Sequence, residues 1–519
     1  MARPILDKPG RPGLNGFMKA SDFPNDVKAN LIPAPSGVLV YHCLGCEREY
    51  EADSLLYTCP SCGGVFLIED KAAGRLAEVS GPGWRRIFDY RGMLNLPALR
   101  GVFRFHEFLA PAIPLEDVIY LGEGHTPIVA ANGYLSGLAG TDFFFKNDGL
   151  NPSASFKDRG MAAALSFLRY LVRKKGLPEI LSVCASTGDT SAAAALYGSY
   201  LTGVVKSAVL LPHGKVTPQQ LSQPLGSGAR VFELPGVFDD CMKVVEYLAD
   251  HYDVALLNSK NAWRVLGQES YSFEIAQQFD YEIEDLSLFV PIGNAGNVTA
   301  VLSGLLKLQR FGVIDGLPRV FGVQSSHADP VFRYYAQPAD RRRYQPVTVR
   351  PSVAQAAMIG NPVSMPRVLR LVDAYEREAD GPRFFTVQVE EQDIMDSMLL
   401  ANRNGHVACT QGGESLAGLR RALESGLLKS GEPAVLDSTA HALKFADFQG
   451  MYFDGGFGPE FEITPKAELQ NRPRYVRPEG LGRLPEPGRP LDGDDFRAFV
   501  EATALEIAKA LDLKPREGG

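Results

Sequence analysis

Asn151-Pro152-Ser153-Ala154-Ser155-Phe156-Lys157-Asp158-Arg159-Gly160 sets one lysine among small and polar residues, just ahead of a run from 160 to 173 with apolar residues at helical spacing. A loop meeting a helix in this way can present the Lys157 amine to a cavity, where it could form a Schiff base with a carbonyl compound. An exposed lysine at a helix start is the bland alternative for any single lysine. What decides against it is the chemistry of three loops further along the chain.

The first is Ser186-Thr187-Gly188-Asp189-Thr190-Ser191, which follows the apolar run 181–185 and precedes an alanine-rich helix. Such a turn offers amides, hydroxyls and the positive end of a helix dipole to a carboxylate or phosphate. On its own it reads equally well as an ordinary N-cap. The second, Gly293-Asn294-Ala295-Gly296-Asn297, follows the strand-like run 286–292 and opens a helix near Val298. Its glycines let the backbone approach a phosphate closely, and with no Walker lysine or GxGxxG a single phosphate monoester fits better than a nucleotide. One aldehyde-binding amine and one phosphate cradle together describe pyridoxal phosphate. The third, Asp437-Ser438-Thr439-Ala440-His441, follows the run 433–436. A hydroxyl of Ser438 or Thr439 could share a hydrogen bond with the pyridine nitrogen or simply cap the chain, and His441 reads as a hydrogen-bonded structural histidine.

From 118 to about 444 short β-rich runs alternate with longer amphipathic ones. Runs at 143–145, 180–185, 207–211, 229–234, 286–292, 319–324 and 433–436 are separated by helical stretches such as 190–201, 238–251, 262–279, 295–311 and 413–425. This pattern predicts an α/β architecture with largely parallel sheets and ligands at the strand C-terminal ends. Residues 1–40 read as an irregular N-terminal arm interrupted by Pro24, Pro33, Pro35 and Gly37, and 71–117 as a connector. The Gly- and Pro-rich stretch 446–519 reads as a wrapping tail with a closing helix at about 494–511.

Between arm and connector, at 41–70, Cys43-x2-Cys46 is followed after twelve residues by Cys59-x2-Cys62, with Gly45, Gly63 and Gly64 in the turns. Paired knuckles of this kind point four thiolates at one tetrahedral zinc, and four sulfurs complete its shell, so the expected role is structural. A redox CxxC pair is the lesser alternative, and Cys184, Cys241 and Cys409 read as reduced core thiols.

The 519 residues carry a net charge of -8, which argues against a nucleic-acid partner because phosphate-backbone affinity needs a basic face. Residues 1–16 have no apolar core of signal-peptide length, and nowhere do about 18 apolar residues run uninterrupted. A soluble cytoplasmic protein without a membrane partner is expected.

The motifs Leu121-Gly122-Glu123-Gly124-His125-Thr126-Pro127, Asn151 to Asp158, Ala185 to Thr190, Gly293 to Asn297 and Ser438 to His441 occur in one order. In these the chain resembles the fold-type II pyridoxal-phosphate enzymes, tryptophan synthase β-like, and within them the threonine synthase family of the plant and thermophile kind. That resemblance implies two α/β domains with the cofactor between them: a large one of 118–150 and 258–445, and a smaller one of 151–257. A small N-terminal zinc-ribbon-like module accompanies them in many members.

For function the resemblance implies γ-elimination and β-replacement on O-phospho-L-homoserine, giving threonine and phosphate. Lys157 would carry the cofactor and move the Cα and Cβ protons. Gly293, Asn294, Ala295, Gly296 and Asn297 would hold the cofactor phosphate, Thr439 the ring nitrogen, and Ser186 with Thr187 the substrate carboxylate. Asn258-Ser259-Lys260-Asn261-Ala262-Trp263-Arg264 resembles the family's phosphate-recognition stretch, so that Ser259, Arg264, Thr190 and Asn297 would ring the leaving phosphate. Asp189 stands where other members carry Asn beside the cofactor hydroxyl. The fold implies a homodimer. A cysteate synthase acting on phosphoserine and sulfite remains open, as do a threonine or serine dehydratase, which would have no need of Arg264, and an inactive zinc-ribbon interaction protein, against which the intact Lys157 argues.

Overall fold

The computed structural model describes residues 18–186, 188–213, 218–236 and 238–516. By its contacts the chain divides into one unit over residues 1–464 and a second over 465–519.

Among the described residues, thirteen strands build three sheets in the first unit. The first three, β1 (Leu39–Cys43), β2 (Glu49–Glu51) and β3 (Phe66–Asp70), form a small antiparallel sheet in the order β2-β1-β3 around the cysteine knuckles. The strands β4 (Ile128–Ala130) and β5 (Phe143–Asn147) join a six-stranded sheet completed by later chain. A separate four-stranded parallel sheet is made by β6 (Ile180–Ala185), β7 (Val205–Pro212), β8 (Arg230–Leu234) and β9 (Val254–Leu256), in the order β8-β7-β6-β9. Finally β10 (Ser287–Pro291), β11 (Arg319–Ser325), β12 (Phe384–Val389) and β13 (Ala434–Ser438) complete the larger sheet, ordered β12-β11-β10-β13-β5-β4 and parallel except at the β4 edge. Central strands such as β10 and β13 are buried along their whole length, as strands covered by helices on both faces must be.

The alternation read from the sequence therefore produces the expected α/β architecture. Within 118–444 three strands, β4, β9 and β12, lie outside the runs singled out there. Two of these are only three residues long, too short for a periodicity to register. Where a single helix was expected over 262–279, two helices, Ala262–Gln268 and Ser270–Gln278, abut at Glu269. The Ser270 hydroxyl donates to the Gly267 carbonyl at this junction, competing with regular helix bonding. The arm read as irregular contains a helix, Asn25–Leu31, capped by Pro24 and short enough to end before Pro33. Its Val27 and Leu31 bury against Trp84, Ile87 and Phe88. That burial supplies what the local sequence lacks.

In the second unit the expected closing helix spans Gly493–Ala510. Among the described residues no helix is long and apolar enough to cross a membrane.

Candidate active site

A partly enclosed cavity lies at the C-terminal end of β10, opening toward solvent. Its wall brings together Lys157, Asp189, Ser259, Arg264, the whole stretch Gly293 to Asn297 and Thr439, all of them anticipated from sequence and drawn from five separate segments.

Two glycines make the central juxtaposition possible. The helices Lys157–Lys175 and Ala262–Gln268 cross so closely that a Cβ on Gly267 would sit 2.1 Å from the Arg159 carbonyl oxygen, and one on Gly160 3.0 Å from that of Arg264. Only hydrogen at both positions lets the helices touch. As a result Lys157 and Arg264, each on the first turn of its helix, face one space.

The Lys157 amine is pushed down to about 7, first by burial and then by the Arg264 charge. Its ammonium sits 4.1 Å from the Phe156 ring centroid. An amine near neutrality is a nucleophile at physiological pH, where an ordinary lysine is almost wholly protonated. Arg264 is itself only 4% exposed, and burial lowers its guanidinium to about 10. Its Nη1 donates to the Leu257 carbonyl at 3.3 Å, and its Nε, also buried, has no partner. Among the described residues no carboxylate pairs with this guanidinium, and a buried charge left so favours an anion beside it.

The cradle sits opposite. Ala295 adopts φ 60°, a left-handed conformation costly for any residue with a Cβ, and turns the chain into the helix Gly296–Arg310. Amides in the first turn of that helix have no intrahelical acceptor and point at the cavity. Gly293 is required by crowding, since a Cβ there would come within 2.9 Å of the Ala357 backbone. The Asn297 side-chain amide donates to the Asp437 carboxylate at 2.6 Å, while the other Asp437 oxygen is buried without a partner and burial drives this carboxyl well up. These features suit a phosphorylated, aldehyde-bearing ring: an amine for the aldehyde, a helix start for the phosphate, and a polar floor.

Asp189 forms an ion pair with Lys444 at 2.8 Å, and Lys444 also donates to the Ser153 carbonyl at 3.0 Å. The pair fastens the turn after β6 to the loop ahead of Lys157. Ser186 and Thr190 flank Asp189 without lining the cavity, and the Ser186 hydroxyl accepts from the Gly188 amide at 3.2 Å. Thr187 lies outside the described residues. Sequence reasoning missed Asn261, Gln268, Ala356, Ala357 and Gln411 on the wall. Asn261 sits inside the quoted phosphate stretch and caps its helix through Trp263. The others carry no motif.

At the cysteine module the four sulfurs lie within 4.8 Å of one another, with Cys43 and Cys62 Sγ 3.4 Å apart and Cys46 and Cys59 Sγ 3.6 Å apart. Zinc–sulfur bonds of about 2.3 Å in a tetrahedron put sulfurs about 3.8 Å apart. The Gly45 and Gly64 amides donate to Cys43 and Cys62 Sγ at 3.3 and 3.4 Å, as thiolate ligands require.

Residues 119–438 match the family described as pyridoxal-phosphate dependent enzyme. The chain belongs to that family. Pyridoxal phosphate is accordingly its cofactor, and the cavity geometry fits it. Among its relatives is a threonine synthase of Methanocaldococcus jannaschii, 33% identical over 79% of this chain and 94% of that protein. Threonine synthase 2, chloroplastic, of Arabidopsis thaliana is 32% identical over 77% of this chain and 75% of its own length. Among solved structures, that of threonine synthase from Escherichia coli superposes with a TM-score of 0.58 at 20% identity, covering 79% of this chain and 90% of that one. It supports the fold of this family.

Proposed function

We propose that this pyridoxal-phosphate enzyme is a threonine synthase, a lyase converting O-phospho-L-homoserine and water to L-threonine and phosphate. The observation that carries the reading is the pairing in one cavity of a near-neutral lysine with a buried arginine that has no acidic partner. A dehydratase, whose substrate bears no phosphate, has no use for that arginine.

When bound, pyridoxal phosphate supplies the electron sink for negative charge at the substrate carbons. The backbone of residues 293–297 would hold its phosphate, Thr439 would meet its ring nitrogen, and Asp189, ion-paired with Lys444, would meet its hydroxyl edge. Ser186 and Thr187 would receive the substrate carboxylate. Lys157 would hold the cofactor through its amine and, once freed, would move protons at Cα and Cβ, a task suited to an amine poised near pH 7. Arg264, with Ser259, Thr190 and Asn297, binds the substrate phosphate and neutralises it as the Cγ–O bond breaks; water then adds at Cβ.

In this reading residues 118–150 with 258–445 form the large domain and 151–257 the small one. Sheet membership supports the division: β4, β5 and β10–β13 share one sheet and β6–β9 the other. The sulfur spacing supports a structural zinc on Cys43, Cys46, Cys59 and Cys62. We read the enzyme as a cytoplasmic homodimer with no nucleic-acid partner, in keeping with its net charge of -8.

The test offers purified protein O-phospho-L-homoserine and, separately, phosphoserine with sulfite. Threonine from the first is expected. Cysteate from the second with no threonine from the first would overturn the reading.

A further inference from the structure

We infer that Arg367 is a positioning residue that fixes the anion pole of the cavity and couples it to the cysteine module. The identity of the anion as a substrate phosphate rests on the function proposed above.

Arg367 lies on the helix Met365–Glu378 with 0% of its surface exposed. Its fork is spent on three separate segments. Nε donates to the Phe66 carbonyl at 2.7 Å, Nη1 to the Ser259 carbonyl at 3.1 Å and the Ser364 hydroxyl at 2.9 Å, and Nη2 to the Lys260 carbonyl at 3.1 Å. No carboxylate is among these acceptors. Burying such a charge is costly, a cost that a purely structural tie could avoid with a neutral donor.

Each acceptor belongs to something the cavity needs. Ser259 lines the wall, and its turn leads into the helix that carries Arg264. Ser364 donates its amide to the Asn294 carbonyl at 3.1 Å, which ties the same fork to the phosphate cradle. Phe66 stands opposite Cys43 in the β1–β3 ladder and follows the Gly64 amide that donates to Cys62 Sγ. A second link runs in parallel: Trp263, the residue before Arg264, donates its indole N–H to the Tyr41 hydroxyl at 2.9 Å and stacks on Phe167 with centroids 4.0 Å apart. Tyr41 lies in β1, two residues before Cys43. The knuckles therefore hold the turn before Arg264 from one side and its helix from the other.

Arg367 also adds charge. The Arg264 guanidinium contributes, after burial, to holding that of Arg367 down, so the two lie close enough to repel. A second buried cation this close raises the positive potential at the cavity wall that Arg264 lines, and so its affinity for a dianion.

The experiment compares wild type, Arg367→Lys, Arg367→Met, Cys46→Ser and Arg367→Met combined with Cys46→Ser, all loaded with cofactor. Hydrogen exchange of residues 257–264 is followed by mass spectrometry. The dissociation constant of inorganic phosphate is read from the cofactor's visible absorption, and KM and kcat are measured separately. We expect faster exchange in each single variant, phosphate binding weakened at least tenfold in Arg367→Met and less in Arg367→Lys, and KM raised more than kcat is lowered. The double variant should be little worse than Cys46→Ser alone, because that change already loosens the module end of both the Arg367 path and the parallel Trp263–Tyr41 link. Unchanged exchange at 257–264 in folded Arg367→Lys, or fully additive effects, would overturn the inference. If Arg367→Met does not fold, Arg367→Lys decides. Faster exchange in a protein whose wild type binds no phosphate would uphold the coupling and refute the proposed substrate instead.

Discussion

Lys157 and Arg264 share one cavity wall, and the amine is held near pH 7 by burial and by the charge of the guanidinium. The cofactor aldehyde reacts only with a neutral amine, so the rate at which cofactor-free protein takes up pyridoxal phosphate should rise with pH through a midpoint of about 7. Arg264→Met removes a positive neighbour and makes protonation easier. Its midpoint should therefore move to higher pH. Stopped-flow absorbance across a pH series checks both values, and a midpoint unmoved in the variant would show that the two groups are not coupled.

The same substitution should separate stability from activity. Arg264 is a buried cation without an acidic partner, so Arg264→Met is expected to raise thermal stability by on the order of 1 kcal/mol in phosphate-free buffer. Against O-phospho-L-homoserine kcat/KM should fall about a hundredfold or more, since the leaving phosphate loses its charged donor. Calorimetry and initial rates on one preparation give both numbers.

Behind Lys157, Arg159 donates to Asp148 at 2.7 Å and to Glu274 at 2.6 Å, and Lys146 donates to Glu274 at 2.7 Å, all fully buried. These two cations hold the Glu274 carboxyl far below its ordinary range despite its burial. A depressed carboxylate contributes stability above the unfolded value of about 4.3, and that contribution is lost as pH falls below it. Glu274→Gln should cost about 3–5 kcal/mol at pH 7 by leaving buried cations uncompensated. Its stability should then fall less steeply than the wild type's below about pH 4. Denaturant unfolding at pH 7 and in a series below pH 4 tests both parts.

Cys46→Ser should release one equivalent of zinc per chain and lower the unfolding temperature while retaining the cofactor's visible absorption, because none of the four cysteines lines the cavity. Metal analysis and thermal scans check this.

Much of the site was legible because its chemistry lies in contiguous motifs at strand ends. The run 286–292 became β10 and its following loop the cradle, while Lys157, Asp189, Ser259, Arg264 and Thr439 converged from separate loops. Gln268 and Gln411 were not legible, since a glutamine on a helix has no signature until its neighbours place it. Arg367 was invisible for a similar reason: three of its four acceptors are backbone carbonyls, which every residue carries. The helix Asn25–Leu31 escaped because prolines bracket it and tertiary burial, not propensity, holds it.

Turnover of O-phospho-L-homoserine in ¹⁸O-labelled water tests the central claim most directly. Breaking the Cγ–O bond and adding water at Cβ places the label in the threonine hydroxyl and leaves the released phosphate unlabelled, and Lys157→Ala abolishes both products. Label in the phosphate, or normal turnover by Lys157→Ala, would contradict the account.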